Sequence, residues 1–287
     1  MGEVFGRSWR LTKLSFSIVL QDKEMLLFPL LGGLASLLFS LVLLFPTILV
    51  SWGDGAGFGA LEYLLLFITY FGLSFIATFF NVCVVFTTRT RFEGGDATFK
   101  DSLNFASTRL PQIVQWALVS ASVGMLLRLL DVFAEKLGEV GQMVMGFIIN
   151  LIGMAWTIVT IFVVPVMVYE GVGPKDAIKR SAETLKSTWG ESLIRHYGLG
   201  LMQFLAFIAA AGIGWLLFAT VGQLGTAGVV ISAIVTLILI LGVVMTFNVA
   251  STVFNTALFA YAQGNTLPGT FDEDTLSHAF KVRGTKR

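Results

Sequence analysis

Asparagine, serine and threonine recur at helical spacing inside otherwise apolar stretches, and these are the first residues that could do chemistry. Ser74, Thr78 and Asn81 lie at i, i+4 and i+7; Asn248, Thr252 and Asn255 repeat that spacing, with Ser251 and Thr256 beside them. Asn150, Thr157 and Thr160 form a looser third set. Residues so spaced share one helix face, so each set is a polar stripe. Such a stripe serves one of two purposes. It lines a polar pathway or small cavity, with Asn81, Asn150, Asn248 and Asn255 as the candidate lining, or it hydrogen-bonds neighbouring helices at about 0.6–2 kcal/mol per bond. No acidic residue lies at mid-depth in any stripe, which counts against a proton- or cation-coupled pump, because such pumps need ionisable relays.

Glu170 stands in the sharpest local signature of the chain. It reads Pro165-Val-Met-Val-Tyr-Glu170-Gly171-Val-Gly173-Pro174, followed by Ala177 and Arg180-Ser181. A carboxylate there could hold a cation or a headgroup amine. It could equally cap the next helix or pair with Lys175. With Lys179, Arg180 and Lys186 it makes up a candidate headgroup-binding or interface site. Pro165 removes a helical donor, so it is expected to kink its helix or free a carbonyl.

Signatures of catalysis are otherwise missing. No His/Cys/carboxylate cluster has metal spacing, and no nucleophile elbow occurs. The glycine-rich run Gly53 to Gly59 lacks the Lys-Ser/Thr of a phosphate loop and reads as a flexible loop. The single cysteine, Cys83, sits in an apolar run; it can form no intramolecular disulfide and reads as a core thiol. His278 reads as a surface residue of the tail. No catalytic residue, metal or cofactor is expected.

The elements that carry these residues are membrane spans. Hydrophobic residues make up 55% of the 287 and charged residues only 13%, against about 25% charged in a soluble domain. Six apolar runs, roughly 26–51, 62–87, 112–134, 143–169, 197–221 and 227–260, each reach the ~20 residues a helix needs to cross a bilayer. They are continuous, with no apolar/polar alternation, so helices are expected and not barrel strands. The first run starts near Met25 and is too long for a signal h-region, so no cleavable leader is expected.

Basic residues fix the expected orientation. Of the 19 Lys and Arg, Arg128 falls within the third run and Lys136 in the loop after it. The rest fall in the N-terminal stretch, the second and fourth loops, and the C-terminal tail. Both ends are therefore expected in the cytoplasm, with the protein in a prokaryotic cell membrane. Arg128 lies about 24 Å along its helix, close to the outer interface, where it can snorkel and pair with Asp131. The net charge of +1 gives no general bias towards nucleic acid.

The basic stretches also repeat. Ile178, Ala182, Leu185, Trp189 and Leu193 form an apolar stripe through charged residues, the mark of an amphipathic helix. Phe5-Gly6-Arg7-Ser8-Trp9 and Phe99-Lys100-Asp101-Ser102-Leu103 align with Ile178-Lys179-Arg180-Ser181-Ala182, each with a serine at the fourth position. Arg91-Phe92-Glu93-Gly94-Gly95-Asp96 resembles Val168-Tyr169-Glu170-Gly171-Val172-Gly173, with an echo at Ala262-Gln263-Gly264-Asn265. The expected fold is an all-α integral membrane protein of six transmembrane helices in three repeated pairs, each preceded by a cytoplasmic amphipathic helix. The units run about 1–95, 96–172 and 173–265, and 266–287 is a cytoplasmic tail, in which Asp272 to Lys281 is a further short helix. The amphipathic helices are expected to meet anionic lipid at the inner surface or to pack under the bundle as a collar.

The run from Pro165 to Trp189, with Glu170, Gly171, Pro174, Ala177, Arg180, Ser181 and Trp189-Gly190, resembles a family of uncharacterised prokaryotic six-span membrane proteins. It is similar, more distantly, to the membrane domain found beside some glycerophosphodiester phosphodiesterases. About 25 residues carry the motif. The closer family has no established activity and lends no catalytic residue; the phosphodiesterase chemistry resides in a separate soluble domain. The expected function is a non-catalytic scaffold or accessory subunit of a membrane assembly, with lipid and protein partners. The alternative is a transporter or channel for a small or lipidic solute.

Overall fold

The computed structural model describes Phe16, Val19 and residues 22–54, 59–189 and 198–264. The expectations for Phe5 to Trp9, the Gly53-to-Gly59 loop before Gly59, Leu193, His278 and the 272–281 helix fall at least partly outside the described residues. Among those described, every regular element is helical. The long helices are α1 (Leu27–Asp54), α2 (Ala60–Phe92), α3 (Phe99–Thr108), α4 (Leu110–Ala134), α5 (Gly138–Val159), α6 (Val163–Glu170), α7 (Pro174–Trp189), α8 (Gly198–Thr220) and α9 (Thr226–Ala262).

Five helical stretches are long and apolar enough to cross a membrane: Glu24–Leu43, Ala60–Phe92, Leu110–Glu170, Gln203–Leu224 and Thr226–Ala262. The chain is thus a helical membrane protein, and many large apolar side chains on these stretches are exposed, as lipid requires. Leu37, Leu41, Val140, Met143, Phe147, Leu237 and Ile238 are examples. The stretches number five and not six because Leu110–Glu170, 61 residues long, contains two of the expected runs. A straight helix of that length would reach about 90 Å. This one breaks after a short 3₁₀ turn, Glu135–Leu137, where Gly138 takes a φ of 75°. Beyond it α5 packs on α4, with Trp116 and Trp156 stacked at 5.8 Å.

Two compact units divide the chain, Phe28–Thr188 and Met1–Leu27 with Trp189–Arg287. In the first, Gly32 lets the Phe80 ring lie against α1, and Gly72 lets Phe39 lie against α2. α2 is the centre of this unit, packing on α4, α3 and α6. Phe86 stacks on Phe105 of α3 at 4.3 Å. Val82, Cys83, Val85, Ile113, Ala117, Phe162, Val163 and Val166 are buried.

In the second unit α8 and α9 form a helical hairpin. Small residues let the two helices approach in the second half of α8: Ala210 and Gly214 are buried, and a Cβ on Gly214 would collide with Thr236. The hydroxyl of Ser232 reaches both Gly228 O in its own helix and Leu217 O in α8, at 2.8 and 3.1 Å. The 3₁₀ turn Lys23–Leu26 packs on α9, and Phe16 meets Phe247 edge-on.

Candidate functional site

Polar and charged groups gather at one end of the unit Phe28–Thr188, where α2 and α6 stop and α3 and α7 start. Both stops use a left-handed glycine, which has no Cβ to clash. Gly94 follows α2 with φ 80°, and Gly171 follows α6 with φ 69°. At Gly171 space matters as much as conformation, because a Cβ there would strike the Arg109 guanidinium. α9 ends the same way at Gly264, φ 74°.

Arginines tie these ends together. Arg89 pairs through Nε with Glu93 at 2.8 Å, donates through Nη1 to Val168 O at 3.3 Å, and lies over the Tyr169 ring. One side chain thus joins α2 to α6. Arg91 pairs with Asp96 at 2.6 Å, and Gln112 Nε2 donates to Gly171 O at 3.5 Å. Glu170 pairs with Arg180 at 2.8 Å; its partner is therefore not Lys175, which is exposed. Gly171 turns the chain so that α7 folds back, bringing its second turn to the end of α6. Lys179 faces outwards, 3.9 Å from Glu183, and Lys186 is exposed.

The two serines that align in sequence are both buried. Ser102 shares a hydrogen bond with Thr87 across 2.7 Å, and Cys83 Sγ donates to Ser102 O at 3.5 Å. Ser181 Oγ accepts from the backbone N–H of Phe162 at 3.1 Å. Pro165 lies just beyond the break that this bond spans. It has no N–H for Ile161 O and its ring crowds that carbonyl, and the helix breaks at Thr160–Phe162 between α5 and α6. The expected kink is thus a break, closed by a hydroxyl from α7. The buried face of α7 is Pro174, Ala177, Ser181 and Leu185. It is turned from the apolar stripe expected at Ile178, Ala182, Leu185 and Trp189, because a serine that must reach backbone sits at its centre.

α3 starts on a capping box. Thr98 donates its hydroxyl and its N–H to the Asp101 carboxylate at 2.6 and 3.1 Å, and Thr98 Oγ1 accepts from Asp101 N at 3.2 Å. These bonds, the hydroxyl's first, hold the Asp101 carboxyl below its usual range.

The expected polar stripes are divided. Thr78 is buried, and Asn81 is partly buried, its Oδ1 enclosed with no hydrogen-bond partner. Asn255 is partly buried, whereas Asn150 and Asn248 are exposed. Arg128 pairs with Asp131 at 2.8 Å. Sequence reasoning missed Arg89 as the link to Tyr169 and Ser181 as the cap of Phe162. Pro165 carried the signal for the second, since a helix-breaking proline leaves backbone groups that something must satisfy.

With this geometry described, residues 60–268 match a family of unknown function, DUF6159. The chain belongs to that family. The matched region opens at the first residue of α2 and takes in all the described helices after it. It lends no support to the likeness with phosphodiesterase-associated membrane domains. No curated protein matches the chain.

Proposed function

We propose that this member of DUF6159 is a multi-pass membrane scaffold or accessory subunit with no catalytic activity of its own. It crosses the membrane six times, as three repeated helix pairs, each led by an amphipathic helix, with both ends in the cytoplasm of a prokaryote. One observation carries this reading: the groups best suited to chemistry at the α2/α6 end bind one another. Arg89, Glu93, Glu170, Arg180, Ser102 and Ser181 all join helix ends, as a rigid platform requires. Left-handed glycines after α2, α6 and α9 support the repeat. So do the two aligned serines, each buried with its hydroxyl bonded to a residue before it in the chain, Ser102 to Thr87 and Ser181 to Phe162 N–H. The break at Gly138 supports counting Leu110–Glu170 as two spans. Lys179 and Lys186 point away from the bundle, where each meets anionic headgroups for about 1 kcal/mol.

Purification of the tagged chain from its own membranes in mild detergent tests the proposal. A protein partner at fixed stoichiometry is the expected result. A chain that purifies alone and carries solute flux in liposomes would overturn it. That outcome belongs to a second reading, a transporter or channel for a small or lipidic solute, which Asn81 favours, because an enclosed amide oxygen without a protein partner is a place for water or a polar solute.

A further inference from the structure

α2 satisfies its threonines from its own backbone, with one exception. Thr69, Thr87, Thr88 and Thr90 each donate to the carbonyl four residues earlier, at 2.8, 3.0, 2.8 and 3.0 Å. Thr78, the fifth threonine of the helix, is only 5% exposed, yet its hydroxyl has no partner among the described residues. A helical threonine chooses between two rotamers, one of which gives its hydroxyl that carbonyl. Thr78 is thus turned from a bond that its own helix offers. Asn81, three residues on and on the same face, has its Oδ1 enclosed without a partner. Turning the amide over would enclose an unmet donor instead. Ser74, one turn before Thr78, is partly buried and also unbonded among the described residues.

We propose that an ordered water sits against this face of α2, accepting from the Thr78 hydroxyl and donating to Asn81 Oδ1, with Ser74 as a third contact. Buried polar groups that lack a protein partner are ordinarily met by water, which needs a few polar partners and a little space. α4 leaves that space. Its start and the end of α2 both reach the end of α6, through Gln112 to Gly171 O and Arg89 to Val168 O, so the two helices run antiparallel. A Cβ on Gly124 would touch the Tyr70 ring. About 11 Å back along α4 from there, the residue level with Thr78 is Ala117, which is buried and brings no polar group. A cation would carry a charge that no carboxylate of the stripe answers, whereas water carries none. The site lies within the unit Phe28–Thr188 and needs only α2 and α4, so it stands apart from the scaffold reading. It gives the Asn81 oxygen a resident in place of a passing solute.

The sign of one substitution separates a bound water from a bare hydroxyl. Thr78→Val keeps the shape and removes the donor. With the water present, it is expected to shift the unfolding equilibrium of the full chain in mixed detergent about two- to tenfold towards the unfolded state. A hydroxyl with no partner at all would make the same change neutral or stabilising, and that result would overturn the proposal. Asn81→Leu gives the second arm. Both side chains hold one water, so the double variant is expected to lose less than the product of the two single shifts; a simple product would overturn the bridge. A third measurement serves even where a variant does not fold. In water-edited solid-state NMR of the parent chain in phosphatidylcholine and phosphatidylglycerol liposomes, magnetisation is expected to pass from water to the Asn81 side-chain amide. It should be lost in folded Thr78→Val. No transfer in the parent, or transfer that survives Thr78→Val unchanged, would sink the idea.

Discussion

Ser181 and Ser102 look alike in the sequence and do different work. Ser181 accepts from the buried backbone N–H of Phe162 at 3.1 Å, so Ser181→Ala takes a partner from a buried main-chain donor, at about 1–3 kcal/mol. In Ser102→Ala the Thr87 hydroxyl still donates to Cys83 O at 3.0 Å, and nothing is orphaned. Thermal unfolding in detergent is therefore expected to show a clear drop for Ser181→Ala, a smaller one for Ser102→Ala and almost none for exposed Ser122→Ala. Equal losses at 181 and 102 would refute the capping role. The two serines are legible in the sequence as a shared feature, but the reason for them is not, since Ser181's partner is a main-chain group that carries no side-chain signal. Glu170 shows the same limit. Its motif is legible, but the choice among cation, cap and Lys175 depends on a left-handed turn that brings up Arg180 instead.

Helical elements are legible wherever apolar length decides them. The expected runs 112–134 and 143–169 fall on α4 and on α5 with α6, because hydrocarbon length leaves little choice. Their joins are less legible. The break at Thr160–Phe162 falls upstream of Pro165, where the ring's clash and missing bond act, and the proline alone does not mark its exact place. The start of α3 makes a further expectation. Asp101 titrates lower in the folded chain than in the unfolded one. Its contribution is therefore present above the unfolded value and is lost as pH falls through the folded value. Amide-exchange protection of residues 99–108, corrected for intrinsic rates, should fall as pH drops below the carboxylate range. Thr98→Ala should cost about 1 kcal/mol at neutral pH and flatten that dependence. A parent chain whose α3 protection ignores pH would refute the link.

For the molecule as a whole, the proposed topology turns on the loop before α2 and the tail lying on opposite sides of the membrane. With Cys83→Ser as background, a membrane-impermeant maleimide is expected to label Gly57→Cys from outside and Thr285→Cys only after the membrane is opened. Labelling of both from one side would remove the even span count and the repeat with it. The proposed sidedness is readable from the placement of the basic residues alone. How the spans are closed off at their ends is not, because those closures run through main-chain groups, and they have a consequence for synthesis. Ribosomes deliver Phe162 ahead of Ser181 by 19 residues. The bond from the Phe162 N–H to Ser181 therefore forms only after α7 has been made. Cys83 and Ser102 are separated by the same interval. Each of these two links is thus completed by a segment translated after the helix that it closes.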